Sequence, residues 1–212
     1  MPGSPIERDN DLLETSAPLT SAEKARFAYF GVNAKILPPL RILNPHKVSI
    51  GDYTAIREGC HLNAFVDLSF LRDYVAAAYR DDFKPEDYRY DGRITIEREC
   101  QIGRFAFMSC TEQIHIAHQV VLSERVFIGD NNHSFSHPDV PIVQQPNKRG
   151  KPVVIGSGSW IGVGAAILSG VVLGRNTVVG ANSVVHEGEY PSHAVIGPPP
   201  AAVMYRRHCG DD

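Results

Sequence analysis

An aliphatic residue recurs at every sixth position in the C-terminal half of the chain. Successive units open at Ile155, Ile161, Ile167, Leu173 and Val179, and a small or β-branched residue follows four places later in each unit. A period of six fits neither the 3.6-residue repeat of a helix nor the two-residue alternation of a plain strand. It is typical of a parallel β-helix, in which every unit contributes one short strand and one tight corner.

The same period is present in the N-terminal half. Inward aliphatic positions are predicted in three further runs: Ile50, Ile56, Leu62 and Leu68; Ile96, Ile102 and Met108; Ile116, Leu122 and Ile128. The last two runs are offset by two residues, which we interpret as a bulge between Cys110 and Gln113. Together the runs predict an all-β solenoid of about five coils, which is enough to support its own core.

Several segments depart from the period and define the expected domain organisation. Residues 1–35 are predicted to form an N-terminal extension with a short helix between 20 and 31, capped by Ser21 and carrying Glu23 and Lys24 in its first turn. The β-helix domain is expected over 36–193, with insertions at 69–93 and 130–152, and residues 194–212 are expected to form a C-terminal cap and tail. The first insertion is predicted to begin with a short helix that ends at Pro85.

Composition and charge exclude some classes of function. The 212 residues carry a formal charge of -3, which gives no reason to expect nucleic acid or an anionic membrane as a partner. No apolar run reaches the roughly 18 residues that span a bilayer, and the polar N-terminus is unlike a secretory signal. The four cysteines lack metal or redox spacing, and Cys60 and Cys100 fall on corner positions. We therefore expect reduced packing residues in a cytosolic protein.

Four segments resemble the hexapeptide-repeat acyltransferases, and more narrowly the O-acetyltransferases that modify maltose, galactosides and bacterial exopolysaccharides such as colanic acid. They read ILPPLRILNPHKVSIGDYTAI, IAHQVVLSERVFIGDNNHSFSHPDVPI, VVIGSGSWIGVGAAILSGVVLGRNTVVGANSVV and AVIGPPPAAVMYRR. The resemblance covers the chain from about Ile36 to Arg207. It implies a left-handed β-helix, although parallel crossovers are usually right-handed. It also implies a homotrimer with active sites between neighbouring subunits.

The activity implied by the resemblance is transfer of an acetyl group from acetyl-CoA to a saccharide hydroxyl. Direct attack in a ternary complex is expected, since no Ser or Cys nucleophile is evident. The acceptor could instead be an antibiotic or another small alcohol or amine. A different class of function, a non-catalytic β-helix scaffold or a zinc-dependent hydratase, stays open. His115 and His118 flank Ile116, but they lack the spacing of the zinc enzymes, so no metal is expected.

The transfer needs a base, and histidine suits this role at neutral pH. His133 lies where the repeat breaks into a polar loop, and it matches the catalytic histidine of the family. Asn131 stands where many relatives have His, and is expected to orient His133 or the sugar. Asp130 could hold the imidazole tautomer, or it could complete the turn after Gly129. His137 is the rival base, and alternatively a loop side chain in contact with Asp139.

The resemblance also assigns residues to the two substrates. Trp160 is expected beside the thioester, where it would exclude water, or else against the neighbouring subunit. Backbone groups at Gly162, Ala165, Ala166 and Gly180 are candidates to receive the pantetheine arm, and one N–H there to stabilise the oxyanion. Arg175 and Arg206 are candidates for the 3'-phosphate of CoA, with Arg207, Lys148, Arg149 and Lys151 as alternatives.

The saccharide is expected to contact the two insertions. Asn132 is assigned to it from the second insertion, and Tyr74 and Tyr79 from the first, because aromatic rings stack on sugar faces. The alternative is that the tyrosines of the first insertion, which also include Tyr88 and Tyr90, pack that insertion against the coils. The identity of the acceptor is not given by the sequence.

Overall fold

The computed structural model describes residues 10–197 and 203–206, and most of them form a left-handed parallel β-helix. Three sheets, labelled A, B and C, form the sides of a triangular prism. Every coil contributes one strand to sheet B, then one to sheet C and then one to sheet A. The described residues form six complete coils and two strands of a seventh, against the five predicted. The β-helix and its six-residue period are thus confirmed.

Sheet A comprises β1 (Leu12–Thr15), β4 (Leu40–Leu43), β7 (Cys60–Ala64), β10 (Phe107–Cys110), β13 (Phe127–Gly129), β18 (Ala166–Ile167) and β21 (Val184–Val185). Sheet B comprises β2 (Tyr29–Phe30), β5 (Val48–Ile50), β8 (Arg93–Ile96), β11 (Gln113–Ile116), β16 (Val153–Ile155), β19 (Val171–Leu173) and β22 (Gly188–Tyr190). Sheet C comprises β3 (Lys35–Ile36), β6 (Ala55–Ile56), β9 (Gln101–Ile102), β12 (Val121–Leu122), β17 (Trp160–Ile161), β20 (Val178–Val179), β23 (Ala194–Ile196) and β24 (Val203–Arg206). A separate hairpin pairs β14 (Asn132–His133) with β15 (Asn147–Lys148).

The core is a column of inward aliphatic side chains at equivalent positions of successive coils. On sheet B, for example, Ile96, Ile116 and Ile155 lie in register and are buried. Full burial of such a side chain stabilises the fold by about 1.5–3 kcal/mol relative to exposure. Cys60 and Cys100 are buried with free thiols, as the packing role predicted. Burial raises the pKa of Cys60 to about 11, so this thiol is not a nucleophile at neutral pH.

Two details of the predicted repeat are wrong. Leu68 is not an inward residue of a coil, because it lies beyond β7 and packs against Leu43 and Tyr90 under the first insertion. The expected bulge after Cys110 is also absent. The two additional residues lengthen β10 and β11, which keep an unbroken parallel register with the strands beside them and are joined by a tight turn at Thr111 and Glu112.

Antiparallel strands cover one sheet edge at each end of the solenoid. β1 pairs with β4 at the first coil, and β24 pairs with β23 at the last. Such pairing satisfies backbone groups that an open edge would expose. The helix α1 (Ser21–Lys24) is shorter than predicted, and Thr20 rather than Ser21 is its N-cap, in a capping box with Glu23. Strand β2 already belongs to the stack, so the coils begin before residue 36.

Both insertions leave the same corner of the prism, where sheet A passes to sheet B. The first contains three 3₁₀ helices, Ser69–Tyr74, Ala77–Asp82 and Pro85–Tyr88, so Pro85 begins a helix instead of ending one. The remaining 3₁₀ helices of the described chain are Pro45–Lys47 and Ile142–Gln144. Val75, Phe83, Tyr88 and Val140 join the two insertions in one buried cluster. None of the described helices has the length and apolar character needed to cross a membrane.

Candidate active site

The hairpin of β14 and β15 carries the predicted catalytic histidine away from the coils. Asn132 pairs with Lys148 and His133 with Asn147. Both residues of β14 are exposed, and successive side chains of a strand point to opposite faces. Asn132 lines a cleft of about 390 Å³ together with Lys148 and His186, whereas His133 is not among its lining residues. The imidazole of His133 makes no hydrogen bond or ion pair with any other described residue, so both nitrogens are available.

Asp130 lies at the base of this hairpin and is fully buried. Its carboxylate accepts hydrogen bonds from the backbone N–H groups of Thr111, at 2.7 Å, and of Glu112, at 2.8 Å. The thiol of Cys110 also donates to it, at 3.2 Å. No hydrogen bond joins Asp130 to His133 in the described part of the chain. Asp130 therefore does not orient His133 within one chain, which corrects that expectation. Its carboxylate instead fixes a turn, the one at Thr111 and Glu112 in the neighbouring coil.

Asn131 is anchored on sheet A and not on the histidine. Its Nδ2 donates to the carbonyl oxygen of Ser109 at 2.9 Å, and the hydroxyl of Ser109 donates to its Oδ1 at 3.3 Å. The expected contact with His133 is therefore not made within one chain. Asn131 and Asp130 together fix the point at which the second insertion leaves β13.

His137 has a structural environment that His133 lacks. Its ring meets the ring of Phe83 edge to face, with centroids 5.0 Å apart. Its Nδ1 lies 4.0 Å from the carboxylate of Asp82. These contacts, and not the expected one with Asp139, connect the second insertion to the first. Of the two histidines, His133 therefore has the side chain with fewer contacts to the described residues.

Trp160 lies on the outer face of sheet C and is 51% exposed. Its indole Nε1–H donates to the hydroxyl of Ser123 at 3.0 Å, which fixes the ring over the preceding coil. Sheet C is the side of the prism opposite the corner that carries both insertions. A single chain therefore places Trp160 and His133 on opposite sides of the solenoid and does not bring them together.

The backbone N–H groups expected to meet the pantetheine arm are largely used inside the coils. Those of Gly162, Ala166 and Gly180 donate to carbonyl oxygens of the next coil, at 2.8 Å each, and that of Ala165 donates to Gly162. A Cβ atom at Gly162 would lie 2.6 Å from the backbone nitrogen of Ala181, so glycine is needed there for coil stacking. By contrast, the N–H of Val163, at the tip of this corner, donates to no backbone carbonyl among the described residues.

The cations considered for the 3'-phosphate of CoA differ in their exposure and in their ion pairs. Arg175 is exposed at the corner between sheets B and C and makes no ion pair with any described residue. Arg149 pairs with Glu112 at 3.2 Å and lies over the ring of Tyr90, and Lys151 pairs with Glu187. Lys148 is exposed on β15. Arg206 belongs to β24, opposite Ala194, and Arg207 lies outside the described residues.

The tyrosines of the first insertion mostly pack inside it. Tyr88 is buried, and the buried Tyr90 donates from its hydroxyl to the carbonyl oxygen of Asn147 at 3.0 Å. Burial raises the pKa of Tyr90 to about 12. Tyr79 is half-buried and packs against the cluster shared by the two insertions, and its contact with a saccharide stays an expectation. Tyr74 is exposed and stays a candidate.

A carboxylate shared by two histidines was not predicted from the sequence. Glu97 Oε1 lies 2.8 Å from Nε2 of His115, and Oε2 lies 3.2 Å from Nδ1 of His118. Although burial acts to raise it, the hydrogen bonds from both histidines hold the pKa of Glu97 below its usual value. The alternation of β11 indicated that His115 faces outward, but Glu97 belongs to the preceding coil. Among the described residues, no three His, Cys, Asp or Glu side chains are arranged to hold a metal ion.

Comparisons with known proteins identify the class of fold. Residues 152–187 match the family model described as the bacterial transferase hexapeptide, six repeats. No curated protein sequence matches the chain significantly. Among solved structures, a point mutant of AntD, an N-acyltransferase of Bacillus cereus, in complex with dTDP and coenzyme A is 21% identical with a TM-score of 0.67. The alignment covers 91% of this chain and 92% of that one.

Two further structures share the fold. A hexapeptide-repeat acetyltransferase of Vibrio cholerae complexed with acetyl coenzyme A is 21% identical, covers 90% of this chain and 80% of its own, and has a TM-score of 0.52. A maltose O-acetyltransferase of Clostridium difficile is 18% identical over 87% of this chain and 72% of its own, with a TM-score of 0.53. The chain thus has the left-handed hexapeptide-repeat β-helix that the sequence predicted.

Proposed function

We propose that the protein is an acyltransferase that moves an acetyl group from acetyl-CoA directly to a hydroxyl of a saccharide, such as a precursor of a polysaccharide. The hexapeptide repeat supports a transferase. Structures of the same fold are described with coenzyme A, with acetyl coenzyme A or as a maltose O-acetyltransferase. The cofactor implied is acetyl-CoA, used as a cosubstrate, with no metal.

The observation that carries the proposal is the exposed hairpin that presents His133. Its imidazole has no partner among the described residues, so a lone pair is free to accept the proton of the acceptor hydroxyl. As that proton leaves, the hydroxyl oxygen forms a bond to the thioester carbonyl carbon. The carbon–sulfur bond then breaks and CoA departs as its thiolate. A base positioned in this way contributes about 10²–10⁴-fold to the rate.

The positions of His133 and Trp160 support a site shared between subunits. They lie on opposite sides of the prism, so the hairpin of one chain would act on an acyl donor held at sheet C of another. This arrangement agrees with the homotrimer that the resemblance implies. It also gives exposed Trp160 a role, since its indole would cover the thioester and exclude water.

The acyl donor would lie along the corner between sheets C and A. The free N–H of Val163 is then the best-placed backbone donor in this stretch for the thioester oxyanion. Arg175 and Arg206 stay candidates for the 3'-phosphate. The free buried thiols of Cys60, Cys100 and Cys110 suit a reducing compartment such as the cytoplasm.

Transfer to an amine is the second candidate function. The complexes of AntD include one with dTDP-4-amino-4,6-dideoxyglucose and coenzyme A and another with 3-hydroxybutyryl-CoA. An amino sugar as acceptor, and an acyl group longer than acetyl, are therefore the alternatives to be tested. Antibiotics and other small alcohols are further acceptors that the same chemistry would serve.

The test is the release of free CoA thiol from acetyl-CoA in the presence of neutral saccharides, amino sugars and nucleotide-linked sugars. We expect thiol release that depends on a hydroxyl acceptor, and that is lost in His133→Ala. Release with amino sugars alone would favour the second candidate. No acceptor-dependent release in a correctly assembled protein would contradict both and would favour a non-catalytic scaffold, whereas bound zinc with CO₂ hydration would favour the hydratase.

A further inference from the structure

A groove runs along the outer face of sheet C and encloses about 580 Å³. Its floor is formed by the outward side chains Ala55, Gln101 and Val121, which lie in parallel register on three successive strands. The neighbouring residues Ile56, Ile102 and Leu122 point inward to the core. Ala55 is the smallest of these three side chains, so it leaves the most room above the floor. This volume suits a ligand the size of one or two sugar rings.

The groove ends at Trp160. Val121 on its floor is paired in register with Trp160 on the next strand. Ser123, which lines the groove, accepts the hydrogen bond from the indole Nε1–H. The end of the groove formed by Val121 and Ser123 therefore lies beside the residue that we assign to the thioester. In this respect the inference rests on the proposed function.

Two arginines form one wall of the groove at the corner between sheets C and A. The Nε groups of Arg57 and Arg104 donate to the same oxygen of Glu58, at 3.3 and 3.0 Å. The shared carboxylate orients both guanidinium groups. Their Nη groups make no hydrogen bond to any described residue, and both side chains are about half exposed. The four Nη groups can therefore donate hydrogen bonds to a ligand with several oxygen atoms.

The opposite wall carries an aromatic ring. Tyr53 is 60% exposed, and its backbone has a φ of 57°, a conformation that is uncommon for a bulky residue. The ring lines the groove on the side of sheet B. An amphipathic ring of this kind offers an apolar face and a polar hydroxyl to a ligand.

The charges lining the groove are balanced. Arg57, Arg104 and Glu124 lie at the corner between sheets C and A, and Glu99 lies across the groove from them. The carboxylate of Glu99 is already bonded to Arg98, at 2.8 Å, and to Gln119, at 2.7 Å. A groove built for a phosphate would carry an excess of cations, whereas here donors and acceptors of both signs surround an aromatic face. Vicinal hydroxyls, which donate and accept at once, match this pattern.

We propose that the sheet C groove binds the saccharide acceptor as an uncharged sugar ring, with Arg57, Arg104 and Gln101 bonded to its hydroxyls and Tyr53 against its face. The ring that receives the acyl group thus lies on the chain that holds the acyl donor, and only the base comes from the neighbouring chain. The acceptor is located on the coils, and not in the insertions.

The experiment fills the groove and measures saccharide binding without acetyl-CoA. Saturation-transfer NMR with maltose, methyl glucoside and methyl galactoside reports binding to the wild type and to Ala55→Tyr. Ser49→Tyr is the matched control, because Ser49 is also a small outward residue of the same coil, but on sheet B. We expect saccharide affinity to fall at least about tenfold in Ala55→Tyr only, because the new ring would occupy the floor and keep the sugar from the arginines, each of whose hydrogen bonds accounts for roughly 10–100-fold. Acetyl-CoA affinity should not change in either variant.

A second pair of variants tests the arginine wall. Arg57→Gln should weaken saccharide binding, whereas Arg93→Gln, an exposed arginine with one carboxylate partner on sheet B, should not. Equal affinity of Ala55→Tyr and the wild type would overturn the proposal even if thiol release confirms the transferase. The same conclusion follows if glucose 1-phosphate binds and no uncharged sugar does. Sugar binding in the groove without any thiol release would support the groove and contradict the proposed reaction.

Discussion

Asp130→Ala should separate a structural role of this carboxylate from a catalytic one. The substitution removes the acceptor for the N–H groups of Thr111 and Glu112, which Asp130 binds at 2.7 and 2.8 Å. Thr111 is fully buried, so water cannot easily replace the carboxylate there. Leaving the buried N–H of Thr111 without an acceptor costs roughly 1–3 kcal/mol, and the half-exposed Glu112 adds less, because water can reach it.

This loss is large compared with the roughly 5–15 kcal/mol that stabilises a typical domain. For a chain of this size, each 1 kcal/mol lowers Tm by roughly 2–4 °C. Thermal and urea unfolding, measured at a fixed concentration of chains, should therefore show a clear decrease for Asp130→Ala. Asp130→Asn should lie between this variant and the wild type, because its amide oxygen still accepts one of the two bonds.

Asp139→Ala is the control, because Asp139 is an exposed carboxylate in the same insertion. Its free energy of unfolding should stay within about 0.5 kcal/mol of the wild type. The reasoning is refuted if Asp130→Ala unfolds like the wild type but loses acyl transfer. That result would assign Asp130 to the imidazole of His133, the role that its buried hydrogen bonds argue against.

Three further predictions concern single side chains. His133→Ala should lose about 10²–10⁴-fold in transfer rate while keeping its assembly and acetyl-CoA affinity, and His137→Ala should lose far less; steady-state rates with light scattering decide, and the reverse ranking would place the base at His137. Trp160→Ala should weaken acetyl-CoA binding by calorimetry, and acetyl-CoA should change the fluorescence of wild-type Trp160; an unchanged affinity would assign the indole to packing. Because the pKa of Glu97 is lowered in the folded state, its contribution to stability should be present above the unfolded pKa and be lost as pH falls through the folded one. The free energies of unfolding of Glu97→Gln and the wild type, measured in urea, should then converge at low pH. A difference that stays constant across pH would contradict this.

The coils could be predicted because their pattern is local. An inward aliphatic at every sixth residue fixes strand, corner and core together, so Ile155 to Val184 could be placed without any tertiary information. The prediction was wrong where spacing alone was used. Leu68 continues the six-residue count but follows the last strand before an insertion, and the offset after Met108 is absorbed by longer strands. Periodicity does not distinguish these cases, because both keep an apolar residue at the expected place.

The hairpin histidine could also be proposed from the sequence, but its surroundings could not. The spacing of Asp130 and His133 placed both in one loop, and suggested that they act together. In the structure, the carboxylate of Asp130 points toward the neighbouring coil and accepts a hydrogen bond from Thr111, which is distant in sequence. Similarly, the contact of His137 with Phe83 joins the two insertions through residues that are more than 50 positions apart in the sequence. Side-chain partners of this kind depend on which corners of the solenoid are stacked, and a single periodic sequence does not specify them.

The two insertions and the coils differ in what they offer to an acceptor. Insertions attract attention because they interrupt the repeat and carry tyrosines. In this chain, however, both insertions leave one corner and bury their aromatic residues against each other, as Tyr88 and Tyr90 show. The coils offer a second set of exposed polar side chains, beside the small residue Ala55 on the outer face of sheet C. The six-residue period specifies only the inward positions, so it gives no information about a small outward residue such as Ala55. Where such a residue lies among larger outward side chains of the neighbouring coils, it leaves a groove on the sheet.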